Sequence, residues 1–515
     1  MITTSIWVGM NLIVAILVVR YHLHMFQLNS YKHRESLVWI QKHFLELVGK
    51  MITILISVVI YMVKIPYASE VSIVLMVVAI LINLPQKAKL SLHYTMRVKR
   101  LIITIVIMYI ISHVVIYSVR KEWWQLIMMC WLLVVPYLVL FGNLCNRPME
   151  KAIARYYVND ARKVINDMNQ LVVIGVTGSY GKTSMKYLLK ELLSIQYNTL
   201  CTPGNFNTTL GVVRTIREHL KPTHQVFVCE MGAKNIGDIK EICDLVHPKY
   251  GVITSIGPQH LESFGTIENV IETKFELIDS LPSEGVAVLN YDNAYIRNKS
   301  VTLKKYSYGI TEEQVTTRAY GISLSEKGST FYITGEDGVE VEFQTSLIGQ
   351  HNVLNIVGAI TMAHELGIPL QAMKQKVKRL KPVPHRMELR KHDQITIIDD
   401  AYNSNPMGAR MALETLGMFD GMRILVTPGM IELGVQEYEL NKQLGEQATQ
   451  VADYIVLVGE KQTKPIYDGI VHTQYDMNQV YVASDFQSAI NHVYGIPSEK
   501  HKIVLLENDL PDNYN

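Results

Sequence analysis

Between Leu171 and Leu193 the chain reads LVVIGVTGSYGKTSMKYLLKELL. Its first part is short, apolar and β-branched, the pattern of a buried strand, and its last part has apolar residues three and four apart, the period of a helix. Gly178, Gly181, Lys182 and Thr183 stand between the two. This order dictates a local geometry in which backbone N–H groups crowd around phosphate oxygens with no Cβ in the way, and the helix N-terminus adds partial positive charge. Lys182 is then placed to reach β/γ-phosphates, and the Thr183 hydroxyl to hold Mg²⁺. The usual spelling, G-x-x-x-x-G-K-[ST], has glycine where Val176 stands; the run here is Thr177, Gly178, Ser179, Tyr180, Gly181, Lys182, Thr183, Ser184. A turn whose glycines serve only backbone geometry is the alternative, but it does not require Lys-Thr at the helix start.

At 515 residues the chain is long enough for about three domains. Its formal net charge of +2 conceals an asymmetry: residues 1–150 hold 14 Lys+Arg against 5 Asp+Glu, and the remainder carries a net −7. A basic front and an acidic back argue against nucleic acid as a partner and for a front that adjoins a membrane. All five tryptophans (Trp7, Trp39, Trp123, Trp124, Trp131) lie in that front. Ile2–Val19 has no charge over 18 residues, enough to cross a bilayer. It has neither the basic start nor the cleavage site of a removable signal. Met51–Val63, Val71–Leu84, Leu101–Ser118 and Trp124–Gly142 complete an expectation of five spans, the second and third forming either a tight hairpin or one re-entrant element.

Arg20–Lys50 and Gln86–Arg100 each carry five Lys/Arg, which places both loops in the cytosol. The N-terminus is then outside, and everything after Gly142 is inside, where ATP is. His113, within the fourth span, is either functional or packed against a helix neighbour. Five cysteines without C-x-x-C spacing read as reduced and structural.

Lys151–Gln170 reads as an amphipathic connecting helix. Beyond the phosphate turn, the apolar runs Gln225–Cys229, Tyr250–Ser255 and Gly285–Asn290 alternate with helical patterns, the rhythm of a parallel sheet that binds ligands at its carboxyl edge. Residues 301–348 alternate and are rich in Thr, Tyr and Gly, which suggests antiparallel hairpins. A second α/β rhythm starts at Ile395: ITIIDD, RILVTPG, YIVLVG, VYVAS, KIVLLE.

The segments GVTGSYGKTS (175–184), TPGNFNTTLGV (202–212), CEMGAKNIGDI (229–239), ITSIGPQHLESFGTIENVIETKFEL (253–277), LIGQHNVLNIVGAI (347–360) and IIDDAYNSNP (397–406) together resemble the Mur ligase family, most closely its D-alanyl-D-alanine-adding branch. With the expected spans forming an N-terminal transmembrane helical region (1–150), the resemblance implies an α/β fold with a central P-loop domain with a parallel sheet (151–384) and a Rossmann-like C-terminal domain (385–515). It also implies an ATP-dependent ligase that joins a carboxylate to an amine through an acyl phosphate. Its cofactors would be ATP and Mg²⁺, and its partners a cell-wall precursor and an amino acid or dipeptide, at the membrane with the catalytic domains in the cytoplasm.

Residue by residue, the resemblance assigns Glu230 and Thr183 to one Mg²⁺, His260 to a second, and Lys274 to the position the family carries as a carbamate. Asn205, Asn207 and Thr208 match the loop near the γ-phosphate and acyl substrate. His351, Asn352 and Asn355 match a motif near the nucleotide base; Arg386 matches the arginine at the entry to the last domain. Asp400 and Asn403 match the loop that closes on the ribose and the amine, although Asn and Asp before Pro are also ordinary turn formers.

Three features depart from the family. Membrane spans stand in place of its uridine-nucleotide domain, TPGMIELG lacks the usual acid before Met, and KIVLLENDLPDNYN lacks the usual lysine-glycine-serine-arginine ending. The carboxylate substrate could therefore be lipid-linked. A polyglutamate-type ligase and a cell-wall scaffold with a vestigial ATP site are the rival readings.

Overall fold

The computed structural model describes residues 2–509 apart from 64–66, 86–90, 120–122, 260, 336–337 and 403–404. It divides into two compact units, Met1–Arg155 and Tyr156–Asp509. The first is helical, with helices Ile2–Leu28, His33–Lys42, Phe44–Met62, Ala68–Ile82 and Met96–Val119 and the start of Trp124–Asn166. Among the described residues, four helices are long and apolar enough to cross a membrane: Thr3–Leu28, Phe44–Met62, Met96–Val115 and Trp124–Asn166.

The remaining expected span is a 15-residue apolar helix, Ala68–Ile82. At 1.5 Å per residue it covers about 22 Å, short of the roughly 30 Å hydrocarbon layer. Ile65 and Pro66, which would lengthen it, lie outside the described residues, as do Lys87 and Lys89 of the second basic loop. Nor is Lys151–Gln170 a separate helix. Most of it is the end of a 43-residue helix that passes through Pro148 without a break.

Inside the first unit Trp7 is fully buried and donates its indole N–H to Ser72 Oγ at 2.9 Å. Val14, Ile54, Met76, Ala79, Leu101 and Leu132 pack in the same cluster. The His113 ring donates to the Tyr109 carbonyl one turn back at 2.6 Å and lies 4.0 Å from the Tyr109 ring, the arrangement of a helix neighbour.

The second unit holds two sheets. The first runs through Val172–Thr177 (β1), Thr199–Cys201 (β2), Val226–Glu230 (β3), Tyr250–Ile253 (β4), Val286–Asn290 (β5), Lys304–Gly309 (β6), Thr317–Ser325 (β7), Gly328–Thr334 (β8) and Glu340–Thr345 (β9). Its order is β2-β3-β1-β4-β5-β6-β7-β8-β9, parallel up to β7 and antiparallel from β7 to β9. The hairpins expected over 301–348 therefore begin only at β7; β6 lies parallel beside β5, with Val288 opposite Tyr306.

Strands β1, β3 and β4 are apolar on both faces because both faces are covered, as parallel sheets require. Lys182–Leu193 and Gln350–Glu365 pack on one face. Thr209–His219, Asp238–Val246 and Ile267–Asp279 pack on the other. Each fully buried Val, Leu or Ile contributes about 1.5–3 kcal/mol relative to exposure.

The second sheet contains Glu388–Lys391 (β10), Ile395–Asp400 (β11), Met422–Thr427 (β12), Tyr454–Val458 (β13), Val480–Ala483 (β14) and Lys502–Glu507 (β15), ordered β10-β11-β15-β12-β13-β14. All five apolar runs read from the sequence are strands, and they are parallel. The addition is β10, antiparallel to β11, cut from the polar run ELRK that no apolar pattern announces.

Candidate active site

Strand β1 pairs with β3 on one side and β4 on the other. Connections therefore leave β1 in opposite directions, and a crevice opens beyond its carboxyl end, where open α/β sheets bind ligands. The turn from Thr177 to Lys182 sits in that crevice. Gly178 has φ +150°, and a Cβ there would lie 2.2 Å from Thr254 Oγ1 and 2.9 Å from the Ser255 carbonyl. Gly181 has φ +78°, and its Cβ would lie 2.8 Å from Asn355 Oδ1. A side chain at Gly178 would press on backbone and one at Gly181 would displace the Asn355 amide, and the chain on each side is tied down. Thr177 Oγ1 donates to the Met231 carbonyl (2.9 Å), Ser179 Oγ to the Gly257 carbonyl (3.0 Å) and the Tyr180 hydroxyl to the Pro258 carbonyl (2.7 Å).

Lys182 folds back over the turn, with Nζ donating to the carbonyls of Gly178 (2.6 Å) and Ser179 (3.0 Å). Burial lowers its pKa to about 8; Glu230 opposes that shift and Arg386 adds to it. Thr183 Oγ1 donates to Glu230 Oε1 at 3.1 Å, and Asn207 Nδ2 donates to the same oxygen at 3.1 Å. Glu230 Oε2 is 2.6 Å from Lys186 Nζ, and Lys186 also donates to the Gly204 carbonyl. Burial opposes ionisation of Glu230, yet Lys186 and Lys182 hold its carboxyl below the usual range.

A cavity of about 180 Å³ lies over this cluster, lined by Ser179, Tyr180, Gly181, Lys182, Thr183, Asn205, Asn207, Glu230, Gln259, Arg386, Tyr402 and Asn405. Next to it a narrower slot is lined by Ser184, Tyr187, Leu188, Glu191, Leu347, Asn352, Leu380, Lys381, Pro382, Val383 and Arg386. The first is polar and cationic at its floor; the second offers aliphatic and aromatic walls. Arg386 is common to both.

The residues singled out from sequence fall into three groups. Thr183, Glu230, Asn205, Asn207 and Arg386 meet around Lys182 in the cavity, and Asn352 and Ser184 line the slot. Asn355 abuts Gly181. Lys274 is buried, and burial first, then the charge of Lys182, pushes its ammonium pKa far down. Others line neither space. Thr208 caps the helix that follows it, accepting from the Gly211 N–H at 3.4 Å. His351 is half-buried beside Gly349, and desolvation lowers its pKa to about 4. Asp400 accepts from the Met387 N–H at 3.1 Å. His260 and Asn403 lie outside the described residues.

Sequence reading missed Lys186, Tyr187, Gln259, Tyr402 and Asn405. For Lys186 the signal was available: it lies four residues after Lys182, on the same face of one helix.

Two sequence profiles match the chain in order: the Mur ligase middle domain over residues 176–363, and the Mur ligase glutamate ligase domain over residues 385–507. The UDP-N-acetylmuramoyl-tripeptide--D-alanyl-D-alanine ligase of Escherichia coli (strain K12) is 30% identical over 330 residues, which is 62% of this chain and 73% of that protein. The enzyme of the same name from Bacillus subtilis (strain 168) is 34% identical over 277 residues, 53% of this chain and 59% of that protein. Among solved structures, MurF from Acinetobacter baumannii matches with a TM-score of 0.64 at 25% identity, covering 69% of this chain and 77% of that one. MurF from Thermotoga maritima in complex with ADP matches with a TM-score of 0.62 at 27% identity, covering 69% and 80%. Two domain profiles in sequence, and a relative matched over most of its length, make this chain a member of the Mur ligase family, of MurF-like type.

Proposed function

We propose that the chain is an ATP-dependent amide ligase that joins an amino acid or dipeptide, D-alanyl-D-alanine in the MurF manner, to the carboxylate of a peptidoglycan precursor. The observation that carries this reading is the convergence of Lys182, Thr183, Glu230 and Arg386 on one cavity. The cavity suits phosphate, since Gly181, Lys182 and Arg386 line it where the helix N-terminus adds partial positive charge. Thr183 Oγ1 and Glu230 Oε1, 3.1 Å apart, are the hard oxygen donors that suit Mg²⁺. When bound, that ion neutralises charge on phosphate oxygens. His260 is proposed for a second ion, and Lys274 joins the metal site only as its carbamate, whose oxygens can ligate Mg²⁺.

In the reaction a substrate carboxylate oxygen bonds to the γ-phosphorus of ATP while the bond to ADP breaks, giving an acyl phosphate. The amine nitrogen then attacks the acyl carbon, phosphate leaves with the electron pair of the broken C–O bond, and the amine releases its proton. Lys182 and Arg386 hold the phosphoryl oxygens, and Asn205 and Asn207 flank the acyl group. The slot with Tyr187, Leu347 and Asn352 suits the base; His351 and Asn355 are proposed to support base binding, and Asp400 and Asn403 to act on the ribose and amine. The three-domain division at about 150 and 384 is part of the same reading.

The apolar helices and basic loops of the front support placement at a membrane, with the ligase domains in the cytoplasm. They also support a carboxylate substrate held there by a lipid, its anionic head group meeting the basic loops. Full-length protein in nanodiscs is to be assayed for phosphate release with soluble uridine-nucleotide peptides and polyprenyl-linked ones, each with D-alanyl-D-alanine. Release that depends on the amine and is lost in Lys182→Ala supports the ligase. Equal rates on both donors, or a preference for the soluble one, rule out the lipid-linked substrate.

A further inference from the structure

The backbone around Arg386 is unusual in a way that the reaction itself does not explain. His385 (φ +59°) and Met387 (φ +50°) on either side of it are both left-handed, a conformation that L side chains with a Cβ avoid. Such residues persist only where their surroundings over-determine them, and four contacts do so here. His385 Nδ1 donates to Asp399 Oδ2 at 2.8 Å, and the His385 N–H donates to Glu388 Oε2 at 3.2 Å. The Met387 N–H donates to Asp400 Oδ1 at 3.1 Å, and the His385 carbonyl accepts from the Tyr402 N–H at 3.2 Å. The His385 ring also packs on the Tyr402 ring, with centroids 4.7 Å apart.

His385, Glu388 and Asp399 carry ligand atoms within 4.8 Å of one another, but this is not a vacant metal site. Arg390 Nη2 sits 2.9 Å from Glu388 Oε2 and 3.0 Å from Asp399 Oδ2, on the same oxygens that face His385. The guanidinium is the cation of the cluster. Asp399 is 4% exposed and His385 36%, so a fixed, buried acid anchors a half-buried ring beside Arg386 in the chain.

We propose that His385 is a positioning residue. Its imidazole, tied to Asp399, fixes the strained backbone that presents Arg386 and supports Tyr402, so that both reach the phosphate cavity they line. This rests on the nucleotide reading of that cavity for its consequence, but not for its geometry. Glycine at 385 accepts the left-handed backbone and removes only the ring, and Asp399→Asn weakens the anchor while keeping its shape.

The test uses full-length protein in nanodiscs. The first measurement is amide hydrogen exchange over residues 383–402 without nucleotide; the second is ADP and ATP affinity, together with the split between KM and kcat. In His385→Gly and Asp399→Asn, exchange at 385–387 and 402 should quicken while the 177–183 turn stays protected, as expected of local opening. The KM for ATP should rise about tenfold, in keeping with the cost of a displaced binding group. His385→Gly should add nothing further in an Arg386→Ala background. Unchanged exchange in both variants, or losses that multiply with Arg386→Ala, would overturn the proposal. If the wild type binds no nucleotide, the function proposed above fails on its own, and the exchange data still decide the role of His385.

Discussion

Lys186 Nζ lies 2.6 Å from Glu230 Oε2, and the two side chains are 0% and 1% exposed. The pair joins the helix that starts at Lys182 to the end of β3. Through the Gly204 carbonyl, Lys186 also holds the loop that carries Asn205 and Asn207. Removing one partner of a buried pair strands the other charge. Lys186→Met should therefore destabilise the fold by about 3–5 kcal/mol. Lys186→Met with Glu230→Gln should recover much of that loss. Urea unfolding of the single and double variants measures both, and an undiminished double-variant penalty would show that packing rather than charge is at stake.

The depressed pKa of Glu230 gives this stability a direction with pH. The carboxylate is favoured by folding, so its contribution is present above the ordinary carboxylate range and disappears as pH falls through the lower folded value. Wild-type stability should fall on acidification more steeply than that of Glu230→Gln, as measured by thermal unfolding from pH 6 down to pH 3.

Lys182 shifts the other way. With a pKa of about 8 in the free protein, its charge is lost as pH rises through that value. Nucleotide affinity should weaken above about pH 8, since a neutral amine gives phosphate no ionic partner. Arg386→Ala should move the midpoint upward, because Arg386 contributes to the lowering. Titrating ADP binding between pH 7 and 9.5 checks both points.

Gly181→Ala should cost about 1–3 kcal/mol from its left-handed backbone, plus the collision with Asn355. Gly204→Ala, at φ +49° with nothing within 4 Å of the added Cβ, should cost only the smaller backbone penalty of about 1 kcal/mol. Comparing their melting temperatures separates local strain from crowding of the cradle.

Glu507 ends β15 fully buried, with Oε2 accepting from Thr427 Oγ1 at 2.7 Å. Burial, then Asp400, raises its pKa to about 8. A carboxyl raised in the folded state contributes stability that is whole below its unfolded pKa and lost as pH rises toward 8. Glu507→Gln mimics the protonated form and should be the more stable protein at pH 8, by on the order of 3 kcal/mol. Equal melting curves at pH 8 would contradict this.

Much of this architecture could be read from the sequence because the strands β1, β3, β4, β11, β12, β13 and β15 are nearly continuous apolar runs, and because glycine with Lys-Thr announces the cradle. The reading failed where position depends on distant chain. Strand β10 is polar, and its only cause is the edge of β11. Helix Ala68–Ile82 stops short because apolar character alone does not set where a helix ends. Tyr402 and Asn405 reach the cavity only because β11 ends beside the β1 crevice. The Thr208 hydroxyl also caps the helix that follows it, a second role that a substrate-loop reading did not foresee. Composition lists donors; it does not say which of them the backbone will claim first.

In the second sheet β15 lies between β11 and β12, which do not touch each other as neighbours. Residues 395–400 and 422–427 are therefore bridged only through residues 502–507. Loss of Lys502–Glu507 would take away the centre of the sheet and not its margin, since both neighbours pair with it along one whole edge.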